Sequence, residues 1–519
     1  MKMLLVLTLL VATLAGNGQE INYSKTINED LYYTNFEIVG GVGENYMIYK
    51  RVRWKHMIAV YDRQMREIRN RRISFMPDDA QKIGFAISPN HIFIVYQYRE
   101  GNTIVCKAAK LDAEGRKLSE PFLLDSTAVL HEADRISYHL TTSEDKKRIL
   151  IYKAQIENEK LDYSFLVFDP LMNLMDRARE ILPLGKTDLY TQPVIDNQGS
   201  VLFTKGYITD TVESVQQINV TTMALRTKIA SLIFAVLKPK STNFTFTYVP
   251  LDGRSLNEVK VGVDNVNRRY VLNALYNNSA GHTEGLFTTF IHADDLSNMN
   301  STFNAFNDVL RKTINPGGQL ATTFNNLKLQ DVTFKKNGGF IIAAEDTYVQ
   351  FVKWPAYRQP AYIQNIFAQP ESIKIKGPSK MYDFRPYSTK DYFPSHKNVL
   401  KSIVVVDIDS ALSITWNSVV NKYQSGDGPF LSYASYNTGS ETHFLFSSHS
   451  EIKVVNNFSI LPSGEFRKYS PLKTLASGYI FMPRFAKQVG VRRLIVPSYY
   501  RSTLAFVLVD FSKNYGLEN

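Results

Sequence analysis

The stretch that decides the fold is residues 83–118, IGFAISPNHIFIVYQYREGNTIVCKAAKLDAEGRKL. Short apolar or alternating runs lie at 84–87, 92–96 and 103–111, and turn residues lie between them at 88–90, 100–102 and 112–115. Runs of this length, separated by Gly, Asn, Asp and Pro, are typical of antiparallel strands joined by tight turns. With an outer strand expected after the turn at 112–115, the stretch predicts a four-stranded meander, which is one blade of a β-propeller.

The same pattern of a polar turn before an apolar strand recurs along the chain. The spacing of the turns centres near ~50 residues, as expected for propeller blades. Repeat units begin near Phe36, Ile83, Ile136, Tyr190, Val271, Leu327, Phe430 and Tyr479. The last unit shows three clear strands, and residues 20–28 are expected to supply its fourth. The prediction is an all-β protein, a single β-propeller of seven to eight four-stranded antiparallel blades; a two-sheet sandwich is the alternative.

Loop and helical insertions are expected within the propeller. Residues 211–240 have apolar residues at mixed spacing and predict a helical or long-hairpin insertion, and residues 303–314 predict a short surface helix. Residues 354–396 are rich in Pro, Tyr and Lys and predict a long structured loop. Because long loops on a rigid scaffold often carry binding, Trp354, Tyr357 and Tyr392 are candidate binding residues.

The N-terminus predicts export. A basic start at Lys2 precedes an apolar run over 4–15, and small residues at Gly16 and Gly18 fit a cleavage site. The prediction is a signal peptide over 1–18, a propeller domain over 19–519, and a periplasmic or secreted protein. No later run reaches ~18 apolar residues, so no transmembrane segment is expected.

Composition narrows the class of protein and of partner. The 519 residues are 44% hydrophobic and 21% charged, which excludes wholesale disorder. A formal net charge of +11 favours anionic surfaces, and nucleic acid is not expected as a partner outside the cytoplasm. Cys106 is the single cysteine, so no intramolecular disulfide can form, which fits a bacterial cell envelope. Its alternating neighbours predict a buried strand residue rather than a reactive thiol.

A basic segment over residues 50–72 is the most unusual charge feature. Alternate residues of a strand share a face, so Arg51, Arg53 and Lys55 are expected to form one stripe and Arg69 and Arg71 another. Such a basic rim would suit an anionic glycan, a lipid head group or an acidic protein. The alternative is a solvated blade edge whose charges prevent edge-to-edge pairing.

No local motif for catalysis, metal binding or a cofactor is present. His443 and His449 flank an apolar strand, and Asp407 and Asp409 could share a strand face, but ordinary structural roles explain both pairs. Asp294-Asp295 lacks the central Gly and the terminal Glu of a calcium loop. The absence of motifs argues against an enzyme, although carboxylates from distant strands could still form a glycosidase site.

With this pattern laid out, the chain resembles exported, mostly uncharacterised β-propeller proteins of Bacteroidota. The resemblance rests on residues 334–345, 404–409, Trp416 with Lys422 and Gln424-Ser425, and the runs 481–485 and 494–497. These are blade motifs, so they imply fold and compartment and transfer no catalytic residue. Proteins that such bacteria send to the cell surface carry a separate C-terminal sorting domain. Residues 509–511 still belong to the last predicted blade and no such domain is recognised, so the resemblance implies a protein that stays in the periplasm.

Two functional hypotheses follow. The first is a non-catalytic periplasmic binding or scaffold propeller, which acts through its loop faces on a protein partner in the cell envelope; by analogy at the level of the fold, it would be an accessory of an outer-membrane assembly. The second is an envelope or secreted hydrolase or lyase acting on a glycan, with carboxylates at the propeller channel.

Overall fold

The computed structural model describes residues 20–28, 34–129, 135–210, 213–217, 220–224, 228–315, 323–351, 372–373, 396–426, 430–447, 454–473, 479–501 and 503–512. Strands dominate this part of the chain. The first half contains β1 (Glu20–Tyr23), β2 (Ile27–Asn28), β3 (Thr34–Val42), β4 (Asn45–Val52), β5 (Lys55–Tyr61), β6 (Glu67–Arg72), β7 (Gln81–Ile87), β8 (His91–Glu100), β9 (Thr103–Asp112), β10 (Phe122–Ala128), β11 (Arg135–Thr142), β12 (Ile149–Glu157), β13 (Lys160–Phe168), β14 (Leu174–Pro183), β15 (Asp188–Thr191), β16 (Val194–Ile195), β17 (Val201–Asp210), β18 (Glu213–Gln217), β19 (Val220–Ala224), β20 (Lys228–Leu237) and β21 (Thr245–Val249).

The second half continues in the same way, with one short helix and one 3₁₀ turn among the described residues. It contains β22 (Ser255–Asp264), β23 (Arg269–Asn277), β24 (Thr283–His292), β25 (Met299–Ala305), α1 (Asp308–Ile314), β26 (Leu327–Phe334), β27 (Phe340–Phe351), β28 (Ser372–Ile373), β29 (His396–Ile408), β30 (Ile414–Val420), β31 (Gln424–Gly426), β32 (Ala434–Asn437), β33 (Thr442–Ser447), β34 (Val454–Ile460), β35 (Phe466–Lys473), β36 (Ile480–Phe481), the 3₁₀ turn Pro483–Phe485, β37 (Lys487–Gly490), β38 (Arg493–Tyr500) and β39 (Thr503–Asp510).

Antiparallel pairing groups the strands into seven sheets, and the largest holds two blades that are joined only by the pair Ile229 and Leu256 of β20 and β22, so most of the strands form eight four-stranded blades. Blades 1 to 3 are β3–β6, β7–β10 and β11–β14; blade 4 is β15 with β16, then β17, β20 and β21; blade 5 is β22–β25; blade 6 is β26, β27, β29 and β30; blade 7 is β32–β35; and blade 8 is β36 with β37, then β38, β39 and β1 with β2. The predicted all-β propeller of four-stranded antiparallel blades is therefore confirmed, with eight blades in the described chain.

The chain divides into two compact units. Blades 2 to 6 belong to one, which spans residues 73–427 together with 54–56, and blades 7, 8 and 1 belong to the other. In the five-blade unit, consecutive blades share apolar clusters: blade 2 with 3, 3 with 4, 4 with 5, and 5 with 6. Alternate side chains of one strand enter different clusters, since Val201 and Phe203 of β17 pack toward blade 3 whereas Leu202 packs toward blade 5. The sheets of blades 3, 4 and 5 are thus buried on both faces.

In the three-blade unit, both ends of the chain meet in one sheet. β1 pairs with β39, from Glu20 opposite Asp510 to Tyr23 opposite Val507. The Ser24 backbone N–H donates to Phe506 O, and the Ser24 hydroxyl accepts from the Phe506 N–H, both at 2.9 Å. Residues 20–28 therefore supply the fourth strand of blade 8, as the sequence predicts.

A repeated turn follows the third strand in four blades. In each turn, the Oδ1 of an aspartate accepts hydrogen bonds of 2.8–2.9 Å from the backbone N–H groups two and four residues later. The residue three positions after the aspartate has φ between 59° and 72°. The aspartate and this residue are Asp62 and Met65, Asp112 and Gly115, Asp169 and Met172, and Asp409 and Leu412. A non-glycine residue in this conformation costs about 1–2 kcal/mol. Met65, Met172 and Leu412 are buried, which contributes about 1.5–3 kcal/mol each and offsets that cost.

Three sequence expectations need adjustment. Val271 lies in the second strand of blade 5, because that blade begins at Ser255. Within 211–240, β18 and β19 form a hairpin, but Lys228–Leu237 is a central strand of blade 4 rather than part of an insertion. The helix expected over 303–314 begins only at Asp308, where the Asn307 side chain caps it by accepting the Leu310 N–H.

We predict that Asp169→Ala destabilises the protein by about 1–2 kcal/mol, the usual cost of removing a side chain that caps backbone N–H groups. Burial alone would raise the pKa of Asp169, but hydrogen bonds from Asn173 and Leu171 lower it below the ordinary value. The cost of the substitution should therefore be full near pH 7 and should disappear as the pH falls below about 4. Urea denaturation at several pH values measures this. Asp79→Ala, at an exposed aspartate, is the control and should have little effect.

Candidate binding surface

The predicted basic stripe over Arg51, Arg53 and Lys55 does not form on one strand. β4 ends at Val52 and β5 begins at Lys55, and Arg53 has φ 56° in the turn between them. Arg51 is buried, with 5% of its surface exposed, whereas Arg53 and Lys55 are exposed. The expectation failed because a hairpin turn interrupts the alternation that a continuous strand would maintain.

Arg69 and Arg71 do lie on one strand, β6. In the described part of the chain β6 pairs with β5 and with no other strand, so it is the edge of blade 1. Arg71 is exposed and Arg69 is half-buried. A charged strand at the edge of a sheet fits the alternative interpretation, in which arginines prevent edge-to-edge pairing. Trp354, Tyr357 and Tyr392 lie outside the described residues.

The residues considered for chemistry have structural roles. Cys106 is buried in β9, and burial raises the pKa of its thiol, which keeps the thiol protonated. The His443 ring stacks on Tyr436 at 4.5 Å and its Nδ1 lies 3.1 Å from Asn457 Oδ1, whereas His449 lies outside the described residues. Among the residues that the structure describes, no group of three or more His, Cys, Asp or Glu could hold a metal ion.

The carboxylates of both candidate pairs also have hydrogen-bond or ion-pair partners within the protein. Asp407 accepts from the Lys335 ammonium and the Thr415 hydroxyl, while Asp409 caps the turn after β29. Asp294 pairs with Arg268 at 2.5 Å, and Asp295 accepts from the Ser297 N–H at 3.0 Å. Asp407 and Asp409 therefore do not act together on one strand face.

A feature that the sequence did not predict is a hydrogen-bonded surface at the turn end of the five-blade unit. In a four-stranded meander, the turn between the first two strands and the turn between the last two lie at the same end. The turns between the first two strands of blades 3, 4 and 5 bond to one another: Asp145 N–H donates to Asn197 Oδ1 (3.1 Å), Asn197 N–H to Asn265 Oδ1 (2.9 Å), and Asn265 Nδ2 to Glu144 Oε2 (2.8 Å). We call these three turns, together with the turn between β26 and β27 of blade 6, the turn network.

Blade 6 joins the turn network through Arg269. Its Nη2 donates to Gly338 O at 2.6 Å and to Asp264 Oδ2 at 2.9 Å, and its guanidinium lies 3.9 Å from the centre of the Phe290 ring. Gly338 has φ 84°, which favours glycine, and a Cβ at this position would lie 2.8 Å from Arg269 Nη2, so a larger residue would displace the guanidinium. Four successive blades therefore present their turns as one rigid polar surface.

A pocket of about 240 Å³ opens in this surface between blades 4 and 5. Its charged and polar groups are paired with one another: Tyr270 OH donates to Asp196 Oδ2 at 2.9 Å, Lys238 Nζ donates to Ala293 O, and Arg268 pairs with Asp294. Burial and the neighbouring Asp196 carboxylate raise the pKa of Tyr270, so its phenol stays neutral. The arrangement suits recognition by preformed polar groups more than proton transfer, since its acids already accept hydrogen bonds.

At the other end of blade 6 lies a buried charge cluster. Glu345 and Lys422 are fully buried and form an ion pair of 2.6 Å, and Lys422 Nζ also donates to Gln424 Oε1 at 2.9 Å. Asp346 is the next residue after Glu345, at the point where the register between β27 and β29 shifts. Only 6% of its surface is exposed, and its Oδ1 has no hydrogen-bond partner in the described structure. Desolvation raises the pKa of Asp346 to about 6, although Lys401 acts in the opposite direction. Sequence alone gave no sign of this cluster.

No protein-family model and no curated protein matches the chain. Solved structures do resemble it: the WD40 domain of SCAP from fission yeast shares 11% identity at a TM-score of 0.38, over 95% of this chain and 98% of that one. The polysaccharide lyase Uly1 shares 8% identity at a TM-score of 0.36, over 83% and 90%. Prolyl oligopeptidase B from Galerina marginata shares 6% identity at a TM-score of 0.39, over 92% of this chain and 57% of that one. The fold assignment therefore rests on the eight blades themselves.

Helices long and apolar enough to cross a membrane are absent from the described residues.

We predict that Asp346→Asn stabilises the protein above pH 6. The folded-state pKa of Asp346, about 6, lies above its ordinary value of 3.8, so folding loses stability as the pH rises through this interval. Asn removes the buried charge, so the variant should gain up to about 3 kcal/mol at pH 8 and almost nothing at pH 4. Urea denaturation at both pH values, followed by tryptophan fluorescence, measures the difference.

Asp407→Asn is the matched control for this prediction. It also converts a buried aspartate of blade 6 to asparagine, but it breaks the ion pair with Lys335, so it should destabilise the protein at pH 8. If Asp346→Asn also destabilised the protein at pH 8, the prediction would be wrong, because the charged Asp346 carboxylate would then stabilise the folded state.

Proposed function

We propose that this protein is a non-catalytic binding or scaffold propeller of the cell envelope, which recognises a protein partner through the turn network. The observation that carries the proposal is the set of hydrogen bonds that joins the turns of four successive blades. A surface fixed in this way loses little conformational entropy on binding, whereas each mobile side chain costs about 0.5–1.5 kcal/mol to immobilise.

The chemistry of the turn network suits a protein partner. Its exposed groups carry both signs of charge, including Glu144, Lys336 and Arg268. Val266, on the turn between β22 and β23, exposes 70% of its surface and supplies an apolar contact within this polar region. Protein interfaces commonly combine an apolar contact with a polar, hydrogen-bonding surround.

The compartment is part of the same proposal. The predicted signal peptide over residues 1–18 supports export, and the likeness of the blade motifs to exported propellers of Bacteroidota supports a periplasmic location. A propeller in the periplasm with a rigid binding face would suit an accessory of an outer-membrane assembly. This last step is an analogy at the level of the fold.

We predict that Val266→Glu weakens capture of the partner at least tenfold, because a desolvated charge at an interface costs more than the 1.4 kcal/mol that corresponds to a factor of ten. The tagged mature protein is purified from its own envelope fraction, and captured proteins are quantified by mass spectrometry. Val309→Glu is the matched control, since Val309 is 73% exposed on α1 and lies outside the turn network.

A partner captured at near-equal amounts by the wild type and by Val309→Glu, and lost with Val266→Glu, is the expected result. Equal capture by both variants would place the interface elsewhere. No partner above background with any form would exclude the scaffold function.

A further inference from the structure

The first strands of blades 1 and 8 are both irregular at the same place in the three-blade unit. β3 carries a shift in register between Ile38 and Gly40, where Gly40 has φ 140°. In blade 8, the first strand is interrupted between β36 and β37 by the 3₁₀ turn Pro483–Phe485. The two strands lie side by side, since a Cβ at Gly41 would lie 3.4 Å from Val489 O. Such irregularities redirect side chains and are frequent next to functional sites.

The interruption in blade 8 is large. Phe481 pairs with Ser498 and Lys487 pairs with Ile495, so residues 482–486 stand opposite only residues 496–497. The displaced segment is nevertheless fixed, because Met482 N–H donates to Pro497 O at 2.8 Å and Ala486 N–H to Pro483 O at 2.9 Å. Pro483 itself is buried and has no N–H to leave unpaired. The chain thus holds the displaced Arg484 and Phe485 in a defined position.

These two irregular strands enclose a pocket of about 180 Å³, which we call the first-strand pocket; it is lined by Phe36, Glu37, Ile38, Arg484, Phe485, Ala486 and Lys487. Phe36 and Phe485 form its aromatic wall, with ring centres 5.7 Å apart, and Phe36 also packs edge-on against Phe506 at 5.4 Å. Both rings of the wall are only half-buried, so each keeps a surface open toward the pocket.

The charged groups of the first-strand pocket come from both strands. Glu37 lies on β3, where the protein around its carboxyl raises the pKa of that group and the nearby Lys487 ammonium partly counters the shift. Lys487 is exposed on β37, and Arg484 is half-buried on the 3₁₀ turn. Two cations and one carboxylate give the lining a formal charge of +1, so it favours a ligand with net negative charge.

We propose that the first-strand pocket binds an acidic sugar residue, a hexuronate. The apolar face of the sugar ring would lie against Phe36 and Phe485, its carboxylate would be bound by Arg484 and Lys487, and Glu37 would accept hydrogen bonds from ring hydroxyls. An inorganic anion has no apolar face for the aromatic wall and no hydroxyl groups to donate to Glu37, so it would use less of the lining. A zwitterionic amino acid has no net charge and therefore matches the lining less well.

The test measures binding to the full mature protein by saturation-transfer NMR and isothermal titration calorimetry. Methyl glucuronide is compared with methyl glucoside, which lacks only the C6 carboxylate, and with inorganic phosphate and leucine. Methyl glucuronide should bind at least tenfold more tightly than the other three. Equal binding of methyl glucoside, tighter binding of phosphate or leucine, or no binding of methyl glucuronide would each overturn the proposal.

A pair of charge-reversal variants locates the site. Lys487→Glu should weaken binding of methyl glucuronide at least tenfold, whereas Lys468→Glu makes the same change on β35 outside the pocket and should bind as the wild type does. Equal effects of the two variants would show a general charge effect rather than a site. This proposal uses residues outside the turn network, so its failure and that of the proposed scaffold function are independent.

Discussion

The sheets in the middle of the five-blade unit each have two apolar faces, and the burial of both faces against neighbouring sheets is the constraint on which the rest of that unit depends. Blade 4 shows it clearly, because Phe234 and Val236 of β20 enter one apolar cluster while Ala235 and Leu237 enter the other. Each fully buried large apolar side chain contributes about 1.5–3 kcal/mol. A blade alone would leave both of these faces in water, so the blades are stable only as a consecutive series.

This constraint gives the strands and the turns different tasks: the strands form the core, and the turns are available for binding. The strands have little freedom, since each position faces one cluster or the other. The turns are free of that requirement and instead have to satisfy their own backbone groups. Asp112 and Asp169 do so within a turn, whereas Asn197 and Asn265 do so by bonding to the next turn. The second solution joins blades that share no covalent connection there, and it holds the turns of neighbouring blades against one another.

The sequence predicts what depends on local pattern and fails where distant residues meet. Alternation near Ile92 and the turn residues before Phe340 locate real strands, and the expected pairing of residues 20–28 with the last blade is present. The stripe through Arg51 failed because two turn residues reverse the chain. Neither the buried charge of Asp346 nor the meeting of Glu37 with Lys487 has a local signal, since both depend on which strands become neighbours.

The interruption of blade 8 is the strongest departure from this regular plan, and the fold itself does not require it. In blade 3, the first strand β11 pairs with β12 over eight consecutive residues without any shift. The interruption of the first strand of blade 8 gives up ladder hydrogen bonds that an uninterrupted strand would make, each worth roughly 0.5–1.5 kcal/mol. Irregularities of this kind redirect side chains and are frequent next to functional sites. The displaced Phe485 and Arg484 line a pocket, which is the use that this geometry indicates.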